Sequence, residues 1–423
     1  MDIEKYINQL KVSRNGKSFA FLAERCETSA EASYRIRPTM PIKADETLVL
    51  MLCGASRDGD DHIREYNGYL KQVDDFVKNS PKLKDKKVRV CVAVCNFGKY
   101  HDTDMARELH HLRFYNPTQY KEILNTMSPD AREEMINPAY IKDIFNAVYL
   151  PRVLHKDNIS QNILETLCNI RRVTTVTHCH GGYVALELEN ILSLHAQKLG
   201  YSPHERNQLL SQQLVLNFCP DCAKHNSHSQ FISFQSAADE HNCHTTYIEE
   251  YLLMKPKDFG LLRIPKKLGN ILMCAQVDKS GIEGNPGKVY IARPIEEVMR
   301  EIEEARINAI KNKTKEPEEE KYVSEHSFIG FTPKDNMSKG AIKMQQFACN
   351  ILENGVYNSL QQSNDKFYPL PSFMQLAANS REERFDMSKA YLTWYKISLG
   401  MLTTSKNSIA SYNAYRREHI IDL

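Results

Sequence analysis

The stretch Val173–Asn190, VTTVTHCHGGYVALELEN, constrains the fold of this chain more than any other. It opens with four β-branched residues, which favour a buried strand. A glycine pair, Gly181 and Gly182, follows, and beyond Tyr183 apolar residues recur at helical spacing. The pattern predicts a strand, a tight turn and a helix in succession. Such a turn would present the thiol of Cys179 at the edge of a sheet, between two imidazoles.

The amino-acid composition is that of an ordinary soluble protein. Its 423 residues suffice for one large domain or two smaller ones, and its formal net charge of +2 gives no reason to expect nucleic acid or an anionic membrane surface as a partner. No apolar run is long enough to span a bilayer, and the N-terminus lacks the apolar core of a signal peptide. The cysteines lie mostly inside apolar runs, as reduced core thiols do. We therefore expect a cytoplasmic protein, although export without a cleavable signal would leave the same pattern.

Strand patterns alternate with helical ones along most of the chain, which predicts an α/β fold with a mostly parallel sheet flanked by helices. The predicted strands are TLVLMLCGAS after Glu46, VRVCVAV (88–94), the β-branched run that precedes His178, LVLNF (214–218), QFISFQS (230–236), NILMCAQV (270–277) and KVYIARP (288–294). The predicted organisation has an irregular lead-in with one or two short elements over 1–45, a main domain over 46–355 and a helical C-terminal extension over 356–423. Within the main domain we expect a helical insertion at about 100–160 and a charged linker at about 311–322.

Four chemically capable residues fall at or just past predicted strand ends: Cys179, Cys219, Asp239 and His326. In parallel α/β sheets, function gathers in the crevice at the carboxyl ends of the strands. A thiolate attacks carbonyl carbons, an imidazole can take the thiol proton, and a carboxylate can orient that imidazole. These residue types in this placement therefore predict acyl chemistry.

The turn THCHG has the form small-x-nucleophile-x-Gly, with Cys179 at the nucleophile position. Backbone N–H groups must also meet the oxyanion that develops on the substrate. The N–H of His180 is one candidate donor. The turn Gly54-Ala55-Ser56 after the first predicted strand of the main domain offers a second, for which we favour Ala55.

These motifs together resemble the α/β-hydrolase fold over roughly residues 46–355. VTTVTHCHGGYVALELEN resembles its nucleophile elbow, and TLVLMLCGASRDGDD resembles its oxyanion strand and loop. VRVCVAVCNFG resembles the next strand, FISFQSAADEHN the strand that delivers the acid, and SEHSFIGF the loop that delivers the base. The resemblance implies a triad of Cys179 as nucleophile, Asp239 as acid and His326 as base, in the family's order.

The chain departs from the common pattern of that family in three ways. Its nucleophile is cysteine, which dienelactone-hydrolase-like members use. The pair Cys53-Gly54 stands where His-Gly is common. The gap between Asp239 and His326 is long and contains further strand-like runs, so Asp278 is a rival for the acid.

A second, weaker resemblance is to the caspase-like cysteine peptidases. These place a His-Gly pair after one strand and the nucleophilic cysteine after the next. VTTVTHCHGG followed by LVLNFC matches that layout. It implies His180 as the base and Cys219 as the nucleophile.

A third interpretation is metal binding by Cys219-x-x-Cys222-x-x-His225-x-x-His228. Thiolates and imidazoles are the preferred ligands of zinc, although this spacing is unusual for a zinc finger. The protein would then be a non-catalytic, zinc-stabilised binding protein on a hydrolase-like scaffold.

The favoured function is hydrolysis or acyl transfer on an ester, thioester or amide through a covalent acyl-cysteine. We expect the substrate to be a small molecule or an acyl or peptide group. This chemistry requires no cofactor, and zinc belongs to the alternative interpretation as a binding protein.

Overall fold

The computed structural model describes residues 3–26, 35–54, 59–98, 117–156, 161–218, 228–236, 270–275, 339–363, 366–371 and 376. Within these ranges a layer of helices covers each face of one sheet. None of the helices described in these ranges is long and apolar enough to cross a membrane.

The part of the sheet that lies within these ranges has eight strands. They are β1 (Phe19–Cys26), β2 (Arg35–Pro38), β3 (Leu48–Leu52), β4 (Arg89–Asn96), β5 (Val173–His178), β6 (Leu214–Phe218), β7 (Gln230–Ser236) and β8 (Asn270–Ala275). The described helices are α1 (Ile3–Ser13), α2 (Gly59–Asn79), α3 (Pro117–Thr126), α4 (Pro129–Ile136), α5 (Ala139–Val148), α6 (Gln161–Arg171), α7 (Gly181–Lys198), α8 (Pro203–Leu210) and α9 (Lys339–Ser359). A short 3-10 helix, Leu150–Arg152, follows α5.

The strands lie in the order β2-β1-β4-β3-β5-β6-β7-β8. The six strands from β4 to β8 in this order are parallel, while β1 is antiparallel to both β4 and β2. The register places Leu52 of β3 opposite Thr177 of β5, and His178 opposite Phe218 of β6. The predicted α/β class with a mostly parallel sheet is therefore confirmed.

The central strands are buried on both faces, which explains why they appear in the sequence as continuous apolar or β-branched runs. One face packs against α5, α6, α7 and α8, and the other against α2 and α9. Side chains of β5 alternate between these two layers, with Val173 in the first and Val176 in the second.

The direction of strand succession reverses between β3 and β5. From β3 the chain passes through α2 to β4 on one side, whereas from β5 it passes through α7 to β6 on the other. The two connecting helices lie on opposite faces of the sheet, as right-handed crossovers in opposite directions require. In open α/β sheets a crevice forms outside the carboxyl ends of the strands at such a reversal. Here the ends are Leu52 and His178.

The first 45 residues differ from the irregular lead-in that the sequence predicted. They form α1, β1 and β2, and both strands belong to the sheet. Strand β1 pairs with β4 along Phe19–Ala23, where Phe19 and Ala23 are buried. In its second half, Glu24 and Arg25 form salt bridges with side chains of neighbouring elements. These charged residues interrupt the apolar pattern that would indicate a strand in the sequence.

Other predicted segments fall partly inside the described ranges. The proposed insertion at about 100–160 contains α3, α4 and α5, in agreement with its predicted helical character. The predicted strand at 288–294, the linker at about 311–322 and most of the C-terminal extension lie outside the described residues.

Candidate functional site

Cys179 occupies the turn between β5 and α7 with a left-handed backbone, at φ of 51°. Among the described residues that are not glycine, Asn15 alone shares a positive φ. An L-residue adopts this conformation at a cost, so the surrounding structure must hold it in place. Two backbone bonds do so: the Cys179 N–H donates to the Phe218 carbonyl at 3.1 Å, and the Gly182 N–H donates to the Cys179 carbonyl at 3.2 Å.

Glycine at position 181 lets α7 start directly against β3. A Cβ atom on Gly181 would lie 2.0 Å from the carbonyl oxygen of Leu52, which no side chain could tolerate. The sequence HCHGG therefore forms a tight turn because its first glycine removes the atom that would collide with the end of β3.

The end of β3 also approaches Cys179 itself. A Cβ atom on Gly54 would lie 2.7 Å from the Cβ and 3.1 Å from the Sγ of Cys179. The turns after β3 and β5 are thus in direct contact at the point where strand succession reverses. This is where the sequence placed the oxyanion loop and the elbow, although Ala55 itself lies outside the described residues.

The two imidazoles that flank Cys179 are buried on opposite faces of the sheet. His178 is 3% exposed, and its ring lies 5.1 Å from that of Tyr69 on α2. His180 is 4% exposed and contacts the rings of Phe97, at 5.9 Å, and Tyr183, at 5.4 Å. Neither imidazole is open to solvent as Cys179 is.

A buried polar pair supports the elbow from within the sheet. Thr177 and Asn217 stand opposite each other on β5 and β6, and the Thr177 hydroxyl donates to Oδ1 of Asn217. Both residues are at most 1% exposed. A satisfied buried hydrogen bond of this kind restricts the two strands to one register, since a slip would leave both groups unpaired.

Two helices begin at this edge of the sheet. Helix α7 starts at Gly181, two residues after Cys179, and α2 starts at Gly59, a few residues after Gly54. Helix N-termini carry partial positive charge and unsatisfied N–H groups, so negative charge is favoured beside them. The two helix starts therefore favour negative charge at this edge of the sheet.

Three other cysteines have thiols with raised pKa values. Burial raises the pKa of Cys91, Cys95 and Cys349 to about 12, which keeps these thiols protonated at neutral pH. Cys91 and Cys95 are buried, whereas Cys349 and Cys179 are both partly exposed. Because the thiolate is the reactive form, the three thiols with raised pKa values are poor nucleophiles.

The structure describes some of the predicted site residues and not others. Cys179 and His180 are described, and both lie in the turn between β5 and α7. The predicted residues outside the described ranges are Ala55, Cys219, Cys222, His225, Asp239, Asp278 and His326. His228 is exposed and precedes β7, and its N–H donates to Oε1 of buried Glu189 at 2.8 Å. Gln230 of β7 is in register with Leu214, the first residue of β6, whereas Phe218 is the last residue of β6. His228 therefore lies near the edge formed by the amino ends of the strands, and Phe218 lies at the opposite edge.

No group of three or more metal-ligating side chains occurs among the residues that the structure describes. Three of the four proposed zinc ligands lie outside those residues, so the zinc site stays a prediction.

Sequence reasoning missed the residues that hold the elbow from a distance. Tyr69, Phe97 and Asn217 come from three different elements, and no motif in the sequence marks them. The β-branched character of Thr177 indicated a strand but not its polar partner.

A scan against protein-family models finds no family that matches this chain, and a search of curated proteins finds no match either.

Proposed function

We propose that this protein is a thiol-dependent hydrolase or acyltransferase that forms a covalent acyl-cysteine at Cys179. The observation that carries the proposal is the conformation of this residue. A partly exposed thiol stands on a left-handed turn, at the point where strand succession reverses, with glycines on both sides of it. Strained backbone at an accessible nucleophile is characteristic of functional sites.

In the proposed reaction, the Cys179 sulfur bonds to the substrate carbonyl carbon, and the carbonyl π electrons move to oxygen. The N–H groups of His180 and Ala55 stabilise this oxyanion. When the carbonyl re-forms, the leaving group departs with the proton that the base took from the thiol. Water, or an acceptor nucleophile in a transferase, then releases the acyl group by the same steps in reverse order.

The base and its orienting acid are carried over from the resemblance to α/β hydrolases, as His326 and Asp239. The resemblance is supported by the context of the elbow: strand β5, the turn and helix α7 follow each other as that motif requires. It is also supported by the contact between Gly54 and Cys179, because the family draws its second oxyanion donor from a loop that follows a neighbouring strand.

The proposal is tested with an electrophilic acylating probe on the whole 423-residue chain. We expect labelling by an activated-ester probe to be lost in Cys179→Ala and kept in Cys26→Ala. Cys26 is a matched control because it is also a partly exposed cysteine at a strand end.

Other outcomes would point elsewhere. Label lost in Cys219→Ala and kept in Cys179→Ala would favour the caspase-like peptidase. If no cysteine reacts faster than free thiol, and zinc is bound stoichiometrically through Cys219 and Cys222, the protein is a binding protein. Loss of label in His326→Ala and Asp239→Asn, with alkylation of Cys179 by iodoacetamide retained, would support the triad.

A further inference from the structure

Arg171, the last residue of α6, is a buried cation that lies beneath α9. The residue is 0% exposed. Its Nε donates to Oδ1 of Asn358 at 2.9 Å, and its Nη2 donates to the carbonyl oxygen of Gly355 at 2.7 Å. Both acceptors are uncharged. Within the described ranges, no carboxylate forms a hydrogen bond or a salt bridge with this guanidinium.

The positive charge of Arg171 is only partly compensated. Removal of a guanidinium from water is unfavourable unless an opposite charge accompanies it. Burial lowers the pKa of Arg171 to about 9, and no charge on the described residues acts against this. The last turn of α9 does offset part of the charge, since the carboxyl end of a helix carries roughly half a negative charge. About half of the positive charge is left without a partner.

Two buried polar atoms in this region make no hydrogen bond to the residues that the structure describes. They are Nη1 of Arg171 and Oγ1 of Thr174. Thr174 is 1% exposed and is the second residue of β5. In native proteins nearly all buried polar atoms are paired with protein, water or an ion. A bound species that accepts hydrogen bonds would satisfy both atoms.

The register of the sheet brings these two atoms to the same place. Thr174 is paired with Leu214 of β6 and shares the α9 face of the sheet with Val176, because alternate residues of a strand lie on one face. A Cβ atom on Gly355 would lie 2.4 Å from Cδ2 of Leu214, so α9 approaches the sheet closely at this point. The carbonyl of Gly355 is also the acceptor for Nη2 of Arg171. The two unpartnered atoms therefore both lie under α9, near Gly355.

Two further buried arginines, Arg152 and Arg172, lie at the same edge of the sheet. In the described part of the chain their side chains donate only to backbone carbonyl and side-chain amide oxygens. The charges of Asp45 and Glu46 act on Arg152, whereas no described carboxylate acts on Arg171. Arg171 is thus the member of this group that needs a counter-charge.

We propose that Arg171 and Thr174 bind a chloride ion beneath α9, with Nη1 and the Oγ1 hydroxyl as its donors. A halide accepts hydrogen bonds from N–H and O–H groups, and its single charge balances the guanidinium. A water molecule would satisfy the same hydrogen bonds but would leave the charge uncompensated. The site lies near the start of β5, whereas Cys179 follows the end of that strand. The ion therefore stabilises the fold and takes no part in chemistry at Cys179.

Urea unfolding of the whole 423-residue chain tests for the ion. Chloride is exchanged for gluconate at constant ionic strength, because gluconate is too large for a site buried under a helix. We expect the urea midpoint to rise with chloride. Above the dissociation constant, the unfolding equilibrium constant should fall about tenfold for each tenfold increase in chloride. Equal midpoints in the two salts would overturn the proposal.

Two variants remove one donor each. Thr174→Val keeps the shape of the side chain, and in gluconate we expect it to be at least as stable as the wild type, because it removes a buried hydroxyl that has no partner there. In chloride its midpoint should rise less than that of the wild type. Arg171→Met, which removes the charge, should have the same midpoint in both salts. Thr174→Val serves if Arg171→Met does not fold.

Thr177→Val is the matched control. Thr177 lies on the same strand, and its buried hydroxyl already donates to Oδ1 of Asn217. Its loss should lower the midpoint equally in chloride and in gluconate. If Thr174→Val and Arg171→Met keep the full chloride response of the wild type, the ion binds elsewhere and the proposal is wrong.

Bromide distinguishes the ion from water directly. Crystals grown in sodium bromide should show an anomalous scattering peak beside Nη1 of Arg171. A water molecule at that position, with no anomalous signal, would overturn the proposal. Either result leaves the proposed acyl chemistry at Cys179 as it stands, because none of these measurements involves that thiol.

Discussion

A Cβ atom added to Gly54 would lie 2.7 Å from the Cβ of Cys179 and 3.1 Å from its Sγ, so the turn after β3 touches the thiol at the end of β5. Two segments distant in the chain meet here because β3 and β5 are neighbours in the sheet. The contact leaves no space on that side of the sulfur for anything larger than hydrogen. A substrate must therefore approach the thiol from the remaining, open side.

Substitution of Gly54 by alanine should obstruct the nucleophile. The added methyl group would displace the Cys179 side chain, and we expect the acylation rate to fall by about a hundredfold, the loss that a misplacement of about 1 Å can cause. Stopped-flow acylation by an activated ester measures this. Gly68→Ala, on the exposed face of α2 with no atom within 4 Å of the new Cβ, is the control and should retain the wild-type rate. An unchanged rate in Gly54→Ala would show that the two turns separate readily.

Substitution of Gly181 by alanine should affect stability more than any surface change. Its Cβ would meet the Leu52 carbonyl oxygen at 2.0 Å, and backbone cannot move aside as a flexible side chain can. We expect the free energy of unfolding to fall by about 3 kcal/mol, as for severe overpacking. Urea unfolding followed by circular dichroism measures it. The Gly68→Ala control should instead gain about 0.5–1 kcal/mol from its helical position. A loss below 1 kcal/mol in Gly181→Ala would contradict the close approach of α7 to β3.

Cys349 should become reactive only at high pH. Burial, and secondarily the charge of Glu353, raise its pKa to about 12. Below that pH the thiolate fraction grows tenfold for each pH unit, so alkylation should rise about a hundredfold between pH 7 and pH 9. The measurement is iodoacetamide labelling of Cys179→Ala, with Cys349 quantified by peptide mass spectrometry. Free glutathione in the same samples should level off near the ordinary thiol pKa of about 8.5. A similar plateau at Cys349 would contradict the raised pKa of its thiol.

The pair Lys156–Glu205 should contribute acid-sensitive stability. Hydrogen bonds from Lys156, both at 2.7 Å, and from Ser202 lower the pKa of Glu205 to about 2. Its pKa in the unfolded chain is higher, so the contribution is complete above pH 4.5 and is lost as the pH falls from there towards 2. Because the pair is partly exposed, its contribution stays below about 1 kcal/mol.

Glu205→Gln tests this pair and leaves the Ser202 cap able to form. The variant should be slightly less stable than the wild type at pH 7, and the two should converge near pH 2. Urea midpoints at both pH values measure the difference. Glu122→Gln, at an exposed position of α3, should differ from the wild type at neither pH. A Glu205→Gln effect that persists at pH 2 would assign the contribution to packing and not to charge.

Local patterns predicted the strands of the central sheet well. Runs such as LVLML and LVLNF are apolar throughout, because parallel strands covered by helices on both faces have no polar side. Strand β1 was not predicted because it is stabilised by pairing with β4, a strand far away in the sequence. Nothing in the residues AERC at the end of β1 indicates that such a neighbour exists.

Local signals in the sequence were sufficient to predict that Cys179 stands on a tight strand-to-helix turn. These signals are a β-branched run, a glycine pair and helical periodicity, and each depends on backbone sterics within a few residues. The surroundings of the thiol depend instead on contacts between segments that are distant in the chain. Gly54 against the sulfur, Tyr69 beneath His178 and Phe97 beside His180 are brought there by the order of the strands. That order follows from how all the strands bury their apolar faces together, which no local stretch of residues encodes.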